Sequence, residues 1–453
     1  MPITSMRIEN FKCFKDSSPF KLAPLTVLVG RNSSGKSSVI QPFLLLKQTL
    51  ETRGFANTIN LKGPFYDAGS FPDIAYQHRI DAPIILGFRS SVVVPDEVAV
   101  VGGVPVGSMR RSTDTSVSLT IETSDPYGPQ VTQIKVEAGG RPPVDLVYVP
   151  PVKSSQDAAP VEWALKDRQL HNGAAIGRLG SMFPFIAHMR GSDWSQLAEN
   201  VIDYNIALAH VEEVLRNLTA IGPFRTPPER RYEFAGKAFA DVGLSGHATV
   251  DTLIADEISK RGTIQAISDW FAKSGLAKSM SLVPLGEPGA YQVRFKIGET
   301  DANYADVGFG FSQVLPVLVQ GLRARSHTMF ICQQPELHLH PDAQVALADF
   351  FISLAIARKQ VIVETHSEHL ILGIRRRLAQ ERASGKPQIT PDDVSLLYVD
   401  DSDPHGSTVR QLELDEGMNI VNWPKGFMDE AIEERLKIME LAPQLQTSPD
   451  DQE

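Results

Sequence analysis

Gly30-Arg-Asn-Ser-Ser-Gly-Lys-Ser37 fits the pattern GxxxxGK[ST] without a mismatch. Residues of these types at this spacing bind phosphate. Glycines at 30 and 35 let the backbone wrap closely around an anion, and a helix starting behind the loop directs its free N–H groups and positive dipole end at it. Lys36 adds a point charge near the β and γ oxygens of a nucleotide, and Ser37 offers a hydroxyl to Mg²⁺. Arg31, Asn32, Ser33, Ser34 and Ser38 complete the expected cradle.

Such a loop works with acids carried on a second strand. The best candidate is Thr328-Met-Phe-Ile-Cys-Gln-Gln-Pro-Glu-Leu-His-Leu-His-Pro341, and it departs from expectation. P-loop ATPases end this strand in an acid that holds the magnesium shell, and the ABC-type subset adds a second acid that activates water. Here Gln333 and Gln334 stand in those places. A neutral amide orients a water but cannot take its proton, so either the chemical step is slow or absent, or the acid comes from Glu336 or Glu364. Gln334 as a water-positioning group has a parallel in GTPases. Two further segments bear on a γ-phosphate. His366, in Val363-Glu-Thr-His-Ser-Glu-His369, follows the next strand and could contact it, the alternative being an ordinary core or surface histidine. In Asp306-Val-Gly-Phe-Gly-Phe-Ser-Gln-Val-Leu-Pro316, Gly308, Gly310 and Ser312 make a loop capped onto a helix N-terminus, able to bind a γ-phosphate presented by another subunit. Histidines 338, 340, 366 and 369 lack the HExxH or CxxC spacing of a metal site.

These residues need a scaffold of alternating strands and helices. Leu25-Thr-Val-Leu-Val29 reads as a buried strand ending at Gly30, followed by a helix through Leu46. Residues 81 to about 145 alternate as hairpins, as in Ser116-Val-Ser-Leu-Thr-Ile-Glu122. From about 155 to 218 the spacing of Trp163, Leu165, Ile202, Ala207, Val211 and Leu215 predicts packed helices. Strands and helices alternate again from 219 to 395, with a helix over 342–358 that starts at Pro341. A C-terminal hairpin follows, then a helix after Trp423. The expected fold is α/β, with a P-loop lobe over 1–80, a β-rich then helical insertion over 81–218, a second lobe over 219–395 and a small α+β cap over 396–453.

Composition narrows the function classes. The 453 residues hold 44 Lys and Arg against 54 Asp and Glu, and the net charge of −10 argues against a nucleic-acid binder that depends on overall basicity. Residues 81–215 carry ten basic and sixteen acidic side chains, so that region is no basic clamp. Arg225, Arg230 and Arg231, with Arg375, Arg376 and Arg377, are the local clusters that leave DNA as a candidate partner. Two cysteines exclude a disulfide framework, and the absence of an 18-residue apolar run or a signal pattern points to the cytoplasm without membrane contact.

In order, GRNSSGKS at 30–37, GFGFSQ at 308–313, QQPELHLHP at 333–341 and ETHSEH at 364–369 resemble the ABC-type AAA ATPases of prokaryotes. Within them the chain looks like stand-alone members related to the overcoming-lysogenization-defect (OLD) family. Ile8-Glu-Asn-Phe-Lys-Cys-Phe14, Ile221-Gly-Pro-Phe-Arg225 and Asn422-Trp-Pro-Lys-Gly-Phe427 share the likeness. The resemblance implies ATP and Mg²⁺ as ligands, residues 30–38 as the Walker A loop and 308–313 as the signature loop. It puts Gln333 and Gln334 at the Walker B and catalytic-acid positions, so Gln333 would share the metal with Ser37, and makes His366 the switch histidine. It further implies a head-to-tail homodimer or higher oligomer and a separately encoded effector such as a nuclease or toxin, in anti-phage defence or DNA transactions. Val399-Asp-Asp-Ser-Asp-Pro-His405 superficially resembles a Toprim metal strand but reads better as an acidic hairpin turn.

Overall fold

The computed structural model describes residues 2–52, 57–95, 99–101, 104–106, 110–124, 128–149, 163–165, 174–177, 182–189, 194–237, 239–424 and 437–439. Strands β1 (Ile3–Phe11), β2 (Phe14–Asp16) and β3 (Phe20–Lys21) lead to β4 (Leu25–Gly30) and helix α1 (Lys36–Glu51). After α2 (Phe71–Ile74) come β5 (Ile84–Pro95), β6 (Ala99–Val101), β7 (Val104–Val106), β8 (Arg110–Ser124), β9 (Gly128–Ala138), β10 (Val144–Tyr148), β11 (Trp163–Leu165), β12 (Ala174–Gly177), β13 (Phe185–Met189) and α3 (Trp194–Asn217). Next are β14 (Thr219–Ile221), β15 (Tyr232–Glu233), α4 (Thr249–Ile258), α5 (Thr263–Lys273), β16 (Ser279–Pro284), β17 (Ala290–Ile297), β18 (Thr300–Asn303) and α6 (Phe309–Arg323). The chain continues through β19 (Met329–Gln333), α7 (Pro341–Ile356), β20 (Gln360–Glu364), α8 (Glu368–Ala383), β21 (Val394–Asp400) and β22 (Thr408–Leu412).

The central sheet has the order β14-β19-β20-β4-β21-β22, and every pairing in it is parallel except β21 with β22. Parallel sheets are covered on both faces, which explains why β4 and β20 read as unbroken apolar runs. Even so, the two-residue period sorts their side chains. Leu28, Ile331, Ile362 and Leu397 join α1 and α3 in one hydrophobic cluster, while Val27, Val29, Phe330, Cys332, Val361 and Val363 join α6 and α7 in another. Parallel alignment also brings the carboxyl ends of β14, β19, β20, β4 and β21 to one edge. There Gln333 is in register with Glu364, Glu364 with Leu28, and Val399 with Gly30.

A second, antiparallel sheet runs β13-β12-β11-β10-β9-β8-β5-β1-β2, with β3 also on β1. Val117, Leu119 and Ile121 are buried in it, as their alternation predicts. The α/β class is as expected, but the helical pattern from 155 is not. Trp163 lies in β11, paired with Tyr148 and Ile176, and among the described residues of this stretch the helix is α3 over 194–217. Short apolar runs fit either period, and here the buried Trp163, edge-on to Tyr148 at 5.8 Å, is claimed by the sheet. Strand pairing crosses the boundary drawn at residue 80, where β5 pairs with β1, and β21, which begins at Val394, lies beside β4. Most of the helix expected after Trp423 lies outside the described residues. Among the described residues no helix is long and apolar enough to cross a membrane.

Candidate functional site

The buried strand β4 can leave the sheet only at its edge, and it does so through two unusual backbone turns, Gly30 at φ 148° and Gly35 at φ 107°. A Cβ on Gly30 would lie 2.5 Å from the carbonyl oxygen of Val399 on β21, and one on Gly35 would run into Cys13 Sγ. Arg31, Asn32 and Ser33 are exposed at the crest, Ser34 is buried, and Ser38 is half-buried in the first turn of α1. Gly35 caps that helix without a side-chain bond, which leaves its first N–H groups facing the loop. Lys36 is only 4% exposed, and its Nζ donates to the carbonyls of Gly30 at 3.1 Å and Arg31 at 2.5 Å. Burial pushes this ammonium below the usual lysine range, against the pull of Glu364, Asp401 and Glu336.

Glu364, at the end of β20 between β19 and β4, is buried and takes bonds from both sides. Ser37 Oγ donates to its Oε1 at 2.6 Å, and Gln333 Nε2 donates to its Oε2 at 2.7 Å. Gln334 turns the chain at φ 46° and donates its N–H to the Glu364 carbonyl at 2.7 Å. Glu336 follows after Pro335. Its Oε1 accepts the His366 N–H at 2.7 Å, and its Oε2 is buried with no hydrogen-bond partner. Burial raises the Glu336 pKa, opposed by the His366 N–H, by the nearby Thr365 hydroxyl and by Arg225. A desolvated carboxylate with one free oxygen is equipped to accept a proton. For His366, burial and Lys36 lower the pKa while Glu364 raises it, so the ring is neutral at neutral pH and can donate one N–H to a phosphate.

The signature segment connects to this edge through Arg225. This buried guanidinium donates to the carbonyl of Gln333 at 2.7 Å, with longer bonds at 3.4 Å to the Gln334 carbonyl and to Gln313 on α6. Gly308 is open on its Cα side, and Phe309 beside it is exposed. Gly310 serves packing: a Cβ there would lie 2.7 Å from the His338 carbonyl oxygen. Ser312 is buried and donates back to the Phe309 carbonyl at 2.8 Å, so its hydroxyl faces its own helix.

Residues 1–89 and 244–371 match the family model AAA_15, described as an AAA ATPase domain. Over these two stretches the chain resembles an AAA ATPase domain. Its two matched stretches hold the phosphate loop, the signature segment, both glutamines, Glu364 and His366. Residues 389–438 match a second model, a protein of unknown function (DUF3696), and they supply β21, the strand whose Val399 closes on Gly30. The Old nuclease of Escherichia phage P2 is 21% identical over 390 residues, covering 82% of this chain and 57% of that protein, in keeping with the OLD-related likeness of the motifs. The chain thus spans little more than half the length of that relative. Similar solved structures include an SMC head bound to the C-winged helix domain of ScpA (12% identity, 93% of this chain and 100% of that one, TM-score 0.43). The SMC head domain from Thermotoga maritima is 9% identical over 91% of this chain and 100% of that one, at a TM-score of 0.39. An SMC head with extended coiled coil, bound to the C-terminal domain of ScpA derived from Pyrococcus furiosus, is 12% identical over 97% and 99%, at 0.44.

Several sequence expectations change around this site. Arg230 pairs with Asp306 and Arg231 with Glu287, while Arg375 bonds Asn419, Arg376 pairs with Asp349 and Arg377 with Glu381. These guanidiniums are paired with carboxylates or an amide of their own fold. Asp400 pairs with Arg410, and Asp403 accepts the His405 N–H in a tight turn. No group of three or more His, Cys, Asp or Glu side chains able to hold a metal gathers among the described residues. Cys13 and the Val399 carbonyl were not singled out by the sequence, because nothing local to either announces that it closes on a loop glycine.

Proposed function

We propose that the chain is an ABC-type ATP-binding protein and ATPase, in which nucleotide drives head-to-tail association of two or more copies and so controls a partner. The observation that carries this reading is the state of Lys36, a buried cation satisfied only by two loop carbonyls, one residue from a hydroxyl and a carboxylate at an open sheet edge. Arriving phosphates exchange those neutral acceptors for charged ones, a gain of roughly 1 kcal/mol per bond before further electrostatics. Ser37 Oγ and Glu364 are hard oxygen donors that fit Mg²⁺. When bound, the cation neutralises charge on the β and γ oxygens. Glu336 is the group placed to take a proton from water, Gln334 orients that water, and His366 steadies the terminal phosphate. Gly308, with the exposed Phe309, completes the site of a second copy. A role in anti-phage defence or DNA transactions through a separately encoded effector follows from the OLD-related likeness.

Gln333 and Gln334 favour a second reading, an ATP-gated scaffold with little turnover that holds such an effector. ATP binding and phosphate release by wild type and Lys36→Ala separate the two. Turnover lost in the variant establishes the ATPase; Lys36-dependent binding without turnover establishes the scaffold. Wild type that fails to bind ATP would sink both.

A further inference from the structure

We propose that the carboxylate of the magnesium shell has moved one strand inward. Glu364 at the end of β20, with Ser37, holds the cation that accompanies the nucleotide phosphates, and Gln333 at the end of β19 holds Glu364. This rests on the nucleotide reading above and deepens it. Three observations carry it. In the sheet order β19-β20-β4, the strand bearing Glu364 lies directly beside the strand that feeds the phosphate loop, and Gln333 is one strand farther away. Register makes Gln333 and Glu364 direct neighbours, so a carboxylate on either strand serves nearly the same space. The hydrogen bonds give each residue its direction: Ser37 Oγ, the hydroxyl that P-loops offer to magnesium, donates to Glu364 Oε1, and the Gln333 amide donates to Oε2.

Chemistry agrees with the placement. A carboxylate buried to 97% at the edge of an apolar sheet needs compensating charge; its two hydrogen-bond donors are neutral, and the cation coupled to it, Lys36, is the group that arriving phosphates engage. A glutamine next to it supplies a donor where a second acid would add repulsion. Mg²⁺ in nucleotide sites is held by one or two protein groups, with phosphates and waters completing its shell, so a single carboxylate and a hydroxyl suffice. Glu364 then leaves the proton-accepting role to Glu336, whose free Oε2 is bonded to neither Ser37 nor Gln333.

The test counts bound cation, not turnover. Mn²⁺ is titrated into the full-length protein with ATP and free Mn²⁺ is read by EPR, for wild type, Glu364→Gln, and Glu364→Gln with Gln333→Glu. The first substitution is isosteric and keeps an acceptor for Ser37, while the Gln333 amide can rotate to accept its new N–H, so folding is preserved and a thermal melt verifies it. We expect Mn²⁺ affinity to fall roughly 10- to 100-fold in the single variant and to recover at least in part when the carboxylate returns on β19. Undiminished Mn²⁺ binding by Glu364→Gln in a chain that binds ATP overturns the proposal and leaves the nucleotide reading intact. Absence of Lys36-dependent ATP binding in wild type overturns both. Loss without recovery in the double variant also counts against it, since the exchange of strands is its central claim.

Discussion

In the phosphate loop three positions are held by backbone geometry: Gly30 and Gly35 sit at φ angles that side chains avoid, against Val399 and Cys13, and Lys36 is locked onto two carbonyls. At the ends of β19 and β20, a few ångströms away, the acids expected on one strand are absent and a carboxylate stands on the next. The difference is one of what each task requires. Wrapping an anion in N–H groups needs a particular chain path, so residue types are fixed position by position. Supplying a carboxylate needs only an oxygen at a point in space, and parallel strands in register can exchange that duty.

The largest effect should come from disturbing the loop path. Gly35→Ala places a Cβ into Cys13 Sγ at φ 107°, and we expect a loss of about 2–4 kcal/mol of folding stability together with loss of ATP binding. Adding Cys13→Ala removes the collision but not the backbone strain, so stability should return only in part. Chemical denaturation of the two variants measures this, and a Gly35→Ala chain as stable as wild type would show that the loop has slack the strand ends were thought to own alone.

A smaller effect is expected at the strand ends. Glu336→Gln keeps an acceptor for the His366 N–H but cannot take a proton, so turnover should fall roughly 10²- to 10³-fold while ATP affinity stays unchanged. The same variant has a pH signature. Burial raises the Glu336 pKa above its ordinary value of 4.5, so the neutral form is the one folding favours. Below 4.5 both folded and unfolded chains carry it protonated and it costs nothing; as pH rises from 4.5 through the raised value, ionisation progressively destabilises the fold. Glu336→Gln should therefore match wild type in acid and become the more stable of the two as pH rises, in melts taken across that range. Equal turnover in variant and wild type would move the base elsewhere.

The same contrast explains what was legible in the sequence. The phosphate loop, the strand before it, the α7 start at Pro341 and the α/β class could be read because each depends on neighbours in the chain. Trp163 was read into a helix because its pairing with Tyr148 and Ile176 is decided by strands the local pattern does not contain. Glu364 is visible in the sequence as a candidate acid, but its bond to Ser37 spans 327 positions, and only the sheet pairing sets it beside Gln333. Arg225 was visible as a charge; that it joins the end of β19 to Gln313 on α6 was not.

The signature segment gives the finest test of the comparison, because it combines both kinds of constraint. Gly310 is fixed by the His338 carbonyl, as the loop glycines are by their neighbours, whereas the Ser312 hydroxyl is held by a single bond to the Phe309 carbonyl. In the described state its hydroxyl is satisfied by Phe309 O, so Ser312→Ala should cost only about 0.5–1 kcal/mol of stability. If a second copy's phosphate takes that hydroxyl during ATP-driven association, one neutral bond is exchanged for a charge-assisted one. The difference is about 1 kcal/mol, or roughly a fivefold weakening of association in the variant. Sedimentation with and without ATP resolves a change of that size. An association constant identical in variant and wild type would make Ser312 a helix residue alone and leave the open Gly308 backbone as the segment's phosphate contact.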